Sequence, residues 1–77
     1  MNYDTHRLLA INLRHAREDI VFIMTRSTDA SEAVRATLKN ALAAVDAAAE
    51  TNAEALAAIV RADNARRDAT RAAKVQP

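Results

Sequence analysis

The sequence lacks the residues that most often cross-link, bend or stack in proteins. It contains no cysteine, so disulfides and thiolate metal sites are excluded. It contains no glycine, and its single proline is the last residue, so the two strongest helix breakers are missing from the interior. Tyr3 and Phe22 are the only aromatic residues, which excludes a stacking platform for single-stranded nucleic acid. Twenty alanines complete a composition that favours helix throughout.

Long apolar segments are also missing. No uninterrupted run approaches the ~20 apolar residues that span a bilayer, and the polar start of the chain lacks the order of a secretion signal. We therefore expect the whole chain to be the mature protein, and its lack of cysteine is compatible with a reducing cytoplasm. Because 77 residues bury little apolar surface, we expect one helical domain, residues 1–77, that is stabilised by self-association.

The first helix is predicted over residues 3–25, where apolar residues recur at alternating steps of three and four. This stripe, called the seam, consists of His6, Leu9, Leu13, Ala16, Ile20 and Ile23. A polar cluster then predicts a turn at residues 26–29. Asp29 is the predicted N-cap of the next helix, with Glu32 completing a capping box, and Thr28 is nearly as good a cap.

The second helix is predicted over residues 30–74. Its apolar face consists of Val34, Leu38, Ala41, Leu42, Val45, Ala48, Ala49, Asn52, Leu56, Ile59 and Val60. Beyond residue 60 the same stripe is polar, which predicts a solvated helical extension. An alternative is a three-helix bundle with a break near Glu50, because Thr51 and Glu54 form a second capping box. We favour one long helix, since a reversal there would leave almost no loop residues.

Pairing the two stripes antiparallel predicts an all-α helical hairpin in which His6 lies opposite Asn52. The apolar stripe of the second helix is about 40 Å long and that of the first about 24 Å. Its far end therefore overhangs, and a second copy would cover it in a dimer like a four-helix bundle. The predicted dimer-interface residues are Asn52, Leu56, Ile59 and Val60.

The first helix carries a second apolar stripe on the side opposite its seam. This outer face consists of Leu8, Ile11, His15 and Phe22, with acidic residues between them. One interpretation is that it packs inside a wider bundle or against the dimer mate. The other is that it docks on a different protein, with Phe22 as the anchor. His15 and Asp19 lack a third ligand, so we predict a surface pair and no metal site.

Basic residues concentrate in the predicted extension, at Arg61, Arg66, Arg67, Arg71 and Lys74. The simplest interpretation is a solvated helix end whose cations favour the C-terminal dipole. Two alternatives are a contact for an acidic protein surface and a contact for nucleic acid. The net charge of the whole chain is only +1, which argues against a dedicated phosphate binder. Glu50 and Glu54 are the nearest approach to a catalytic carboxylate pair, yet no nucleophile or base faces them. We therefore expect no enzymatic activity and no cofactor.

Several short segments resemble a family of small phage proteins, over about residues 12–62. These segments are Asn12-Leu13-Arg14, Ser27-Thr28-Asp29, Ala41-Leu42 and Ala55-Leu56-Ala57. The family consists of helical-hairpin anti-activators that bind a host quorum-sensing regulator and a pilus-assembly ATPase. The resemblance implies a homodimer that inhibits a larger host protein in the host cytoplasm. The tryptophans associated with such a binding surface are absent from this chain.

Three functions are consistent with these patterns. The first is a non-enzymatic module that binds a larger protein, such as a transcription regulator, through the outer face. The second is an accessory nucleic-acid-binding helical dimer that uses the arginines of the extension and of the first helix. The third is a purely structural oligomerisation protein, which would have no external partner.

Overall fold

The computed structural model describes residues 2–75, which form two antiparallel helices. Helix α1 spans Tyr3–Arg26, and helix α2 spans Glu32–Val75. The chain therefore folds as an all-α helical hairpin with a long second helix. Because α2 is continuous through Thr51, the three-helix alternative with a break near Glu50 is wrong. Without glycine or proline in this stretch, nothing in the backbone interrupts the helical hydrogen bonds.

The start of α1 is capped by Asn2. Its side-chain Oδ1 accepts hydrogen bonds from the backbone N–H groups of Asp4, at 2.8 Å, and Thr5, at 3.3 Å. Asp4 also places a negative charge in the first turn, where the helix dipole favours it. These contacts explain why the helix begins at Tyr3.

The connection between the helices occupies residues 27–31, slightly later than the predicted turn at 26–29. Asp29 is not the N-cap of α2. The cap is Ser31, whose hydroxyl oxygen accepts the backbone N–H of Val34 at 3.2 Å. Asp29 instead lies inside a turn in which the N–H of Ala30 donates to the carbonyl of Ser27. Glu32 is thus the first residue of the helix, where its charge suits the dipole without forming the predicted capping box.

The observed contact surface of α1 is rotated from the predicted seam by about 30°. The partly covered residues are His6, Ala10, Leu13, Ala16, Ile20 and Met24. Ala10 and Met24 thus replace Leu9 and Ile23, which remain 43% and 46% exposed. With the small residue Ala10 facing α2, the helix axes can approach closely. The larger side chains of Leu9 and Ile23 then lie beside the contact and not in it.

The predicted register is confirmed where the two helices meet. The side-chain Nδ2 of Asn52 donates a hydrogen bond to the backbone carbonyl of His6 at 2.8 Å. Closer to the turn, Arg17 Nε donates to Asp46 Oδ1, also at 2.8 Å. Both side chains of this ion pair are about half exposed, so it adds little to stability. The pair does mark one side of the hairpin as charged.

The hairpin is elongated and has little interior. It measures 72 × 15 × 14 Å, and its radius of gyration is 19.6 Å, against about 11.5 Å for a compact chain of this length. No apolar residue of the described part is fully buried, and Asn52, at 7% exposure, is the most enclosed polar residue. A single copy therefore leaves most of its apolar side chains in contact with water.

Candidate functional site

The outer face of α1 points away from α2. Its members, Leu8, Ile11, His15 and Phe22, follow steps of three, four and seven residues, so they share one side of the helix. Leu8 and Phe22 are each 58% exposed, Ile11 is 37% exposed, and His15 is also exposed. Among residues 2–75, no second helix lies over these side chains. The outer face is therefore an exposed, largely apolar surface on α1.

A cation–π contact holds the aromatic residue of this face. The guanidinium carbon of Arg26 lies 4.5 Å from the centroid of the Phe22 ring. At an exposed position such a contact contributes about 0.5–1 kcal/mol.

The predicted overhang at the far end of the hairpin is smaller than the stripe lengths suggested. Leu56 and Ile59 are half-buried in the single chain, and only Val60, at 43%, is exposed. The reason is that α1 extends back to Tyr3, whose side chain borders an open depression together with Ile59 and Val60. The apolar stripe of α1 begins at Leu9, but the helix itself begins six residues earlier, at Tyr3, and so reaches further along α2 than its stripe does.

Asn52 lies inside the hairpin, although it was assigned to the dimer interface. Its amide donates to the carbonyl of His6, and His6 Nδ1 lies 2.7 Å from the carbonyl oxygen of Asn2. With Nδ1 protonated, the imidazole donates to that oxygen. This chain of polar contacts fastens the start of α1 to the middle of α2. It is the predicted polar layer, formed through the backbone of His6.

The extension, residues 61–75 of α2, carries five basic and two acidic residues, a net charge of +3. Residues 1–60 carry six basic and eight acidic residues, a net charge of −2. Asp63 pairs with two arginines on the next turn, with Arg66 and, at 3.1 Å, with Arg67. Both arginine side chains remain about three-quarters exposed. The predicted basic contact residues therefore lie on a solvated helix with a net positive charge; they are Arg61, Arg66, Arg67 and Arg71.

One surface was missed because its residues were assigned to the seam. Leu9, Ala16 and Ile23 are spaced by seven residues, so they lie nearly in line along α1. Leu9 and Ile23 flank the observed contact with α2 on the side away from the Arg17–Asp46 pair, and Ala16 lies at the edge of that contact. The heptad spacing was visible in the sequence, but it did not reveal which way the stripe would face.

No match to this chain was found among protein-family models, curated proteins or solved structures. Within residues 2–75, no helix is long and apolar enough to cross a membrane. The same residues contain no group of three His, Cys, Asp or Glu side chains placed to hold a metal ion.

Proposed function

We propose that this protein is a non-enzymatic binding module that attaches stoichiometrically to a larger host protein through the outer face of α1. The main support for this proposal is that Leu8 and Phe22 are exposed on the side of α1 that α2 does not cover. Burying an exposed side chain of this size contributes on the order of 1.5–3 kcal/mol. Two such anchors are enough for a specific complex when the surrounding contacts exclude water.

Occlusion is the mechanism that this geometry supports. A straight helix with Leu8, Ile11 and Phe22 on one side can lie in an apolar groove, where it displaces the helix or ligand that normally binds there. Such an inhibitor acts by mass action and needs no catalytic group. The resemblance to phage anti-activators suggests a transcription regulator in the host cytoplasm as the target.

Self-association is part of the same proposal. A hairpin that lacks a buried apolar residue gains little from its own packing, and a second copy would supply the missing contacts. We therefore propose a homodimer resembling a four-helix bundle, with Leu56, Ile59 and Val60 near its contact with the second copy.

The contact surface can be tested by affinity capture with matched variants. Wild-type protein, Phe22→Ala and Val21→Ala would each be used to capture proteins from a bacterial host lysate, followed by quantitative mass spectrometry. Val21 is the control because it adjoins Phe22 and is 38% exposed, but lies on another side of α1. We expect Val21→Ala to retain the wild-type target and Phe22→Ala to lose most of it. Equal capture by Phe22→Ala, with circular dichroism showing an intact fold, would rule out the outer face.

Charge segregation favours a second candidate function, nucleic-acid binding by the net +3 extension. Arg7 and Arg14, both exposed on α1, would add to this contact. Fluorescence anisotropy with a labelled duplex, at about 50 mM and 200 mM salt, would test it. Binding that weakens steeply between these concentrations is expected of phosphate contacts, whereas indifference to salt contradicts them.

A further inference from the structure

One flank of the hairpin is nearly free of charge. On α1 this side face consists of Leu9, Asn12, Ala16, Asp19 and Ile23, and on α2 of Val34, Thr37, Ala41, Ala44 and Ala48. The opposite flank carries the Arg17–Asp46 pair. Because both helices place these residues on the same side of their mutual contact, they form one surface. Asp19 is its only charged member.

The side face contains large apolar side chains that remain exposed in the hairpin. Leu9 is 43% exposed, Ile23 46% and Val34 50%. Between them the surface is made of alanine, asparagine and threonine, so it consists of a few projections over a shallow background. Such a surface packs best against one of the same kind, in which each projection meets a small residue or another projection.

The total surface area also points to a missing partner. The chain exposes 6160 Å², whereas a compact monomer of this mass exposes about 4600 Å². The excess exceeds the roughly 800 Å² that each partner buries in a standard interface. Because the side face and the outer face lie on different sides of α1, a dimer through the side face leaves most of the outer face uncovered.

The spacing on α1 is symmetric about Ala16, since Leu9 and Ile23 each lie seven residues away. A two-fold axis at Ala16 would set α1 antiparallel to its copy. Leu9 would then face the partner's Ile23, and Ala16 would face the partner's Ala16. The two polar members of the stripe would also come together, because Asn12 and the partner's Asp19 would be offset by one residue, about 1.5 Å along the axis, so that the amide can donate to the carboxylate. The pair would occur twice in the dimer.

The remaining contacts agree with this arrangement. The same rotation places Val34 of α2 near the partner's Ala48, a large residue against a small one. It also brings the partner's turn beside residues 52–55 of α2, so that Ile59, which is half-buried in the single chain, lies about one helical turn beyond it. The two extensions, each with a net charge of +3, project from opposite ends. A parallel dimer would set these like charges side by side, at a cost in free energy.

We propose that the side face binds a second copy of this chain, antiparallel about Ala16, with Asn12 of each copy hydrogen-bonded to the partner's Asp19. The proposal rests on the dimer stated under Proposed function and assigns its surface and orientation. It leaves both outer faces uncovered, so a dimer would present two of them to its target.

The pairing of Asn12 with Asp19 can be tested by exchanging the two residues. Asn12→Asp sets two carboxylates against each other twice per dimer, and we expect it to weaken dimerisation about tenfold or more. The double variant Asn12→Asp, Asp19→Asn rebuilds the pair in the opposite sense and should restore most of the affinity. Sedimentation equilibrium between about 1 and 100 µM measures the dissociation constants, with circular dichroism as the check on helix content.

The orientation can be tested with Ala16→Cys under mild oxidation. An antiparallel pair about this residue brings the two Cα atoms within disulfide range, so a covalent dimer should form quickly. Val21→Cys is the matched control, because Val21 lies on the charged flank of the same helix. Rapid cross-linking at residue 16 and slow cross-linking at residue 21 are the expected results.

Two outcomes would overturn the inference, and they are distinguishable. A wild-type dimer that ignores Asn12→Asp and does not cross-link at residue 16 must use another surface, while the proposed dimer itself stands. A folded monomer at 100 µM would remove the dimer altogether and leave the side face to a different protein. Neither result depends on Phe22 or on the captured target.

Discussion

The hairpin and the extension are parts of the same continuous α2, yet different forces hold them in helical form. In the hairpin, α2 contacts α1 through half-buried side chains such as Leu42 and through the hydrogen bond from Asn52. The extension continues past the start of α1, where Tyr3 borders one depression with its first residues. Its stability comes mainly from alanine content and from Asp63 pairing with neighbouring arginines. Tertiary packing therefore dominates in one part and local interactions in the other. Substitutions in the two parts should have effects of different size and reach.

The largest expected effect is on the packing of the hairpin. Leu42→Ala should lower the free energy of unfolding by about 1–3 kcal/mol, less than at a fully buried site because Leu42 is half-buried. Lys74→Ala in the extension is the control and should change it by less than about 0.5 kcal/mol. Urea denaturation followed by circular dichroism measures both. Equal effects would show that the hairpin contact does not stabilise α2.

Asn52 offers a sharper test, because it is buried and hydrogen-bonded. Asn52→Ala should cost about 1–2 kcal/mol, since it removes the hydrogen bond to His6 and leaves a small gap. Asn52→Leu fills that gap with an apolar side chain, so we expect a smaller loss of stability. If both variants lose the same amount, the loss comes from the hydrogen bond to His6 and the gap left by Asn52→Ala contributes little.

The cap of α2 is expected to have an effect of about 1 kcal/mol. Ser31→Ala removes the oxygen that accepts the N–H of Val34, and it should destabilise the hairpin by this amount. Asp29→Ala is the matched control, because the Asp29 side chain does not cap the helix. Thermal unfolding monitored by circular dichroism would rank the two. If Asp29→Ala lowered the unfolding temperature more than Ser31→Ala, the N-cap of α2 would be Asp29, as expected from the sequence.

The smallest effect is expected in the extension. Asp63→Asn removes the partner of Arg66 and Arg67, which should weaken the local helix by a few tenths of a kcal/mol. Hydrogen exchange of residues 61–75 should accelerate, whereas exchange in residues 32–56 should not change. Faster exchange in both parts would contradict the separation between extension and hairpin.

Several features of the fold were predictable because they depend on local chemistry. Without internal glycine or proline, α2 could be expected to continue through the capping box at Thr51 and Glu54. The pairing of His6 with Asn52 followed from matching the two apolar stripes. The cap was less predictable, because Thr28, Asp29 and Ser31 are all competent caps and the choice depends on turn geometry.

The candidate site was predictable only in part. Leu8, Ile11 and Phe22 are exposed, because their spacing places them opposite the seam whichever small rotation α1 adopts. Leu9 and Ile23 lie at the edge of the seam, where a rotation of about 30° moves a side chain from contact to solvent. The side face therefore became visible only once the two helices were placed together.

The amino-acid sequence by itself determined that this chain is helical, where its two helices lie, and that the extension is positively charged. These properties follow from backbone propensity, apolar periodicity and residue counts, which are local. The tertiary structure decided which flank of α1 contacts α2, that Leu56 and Ile59 are half-buried in the single chain, and that Asn52 is enclosed. Those outcomes depend on the rotation and relative length of two packed helices, which no single segment specifies.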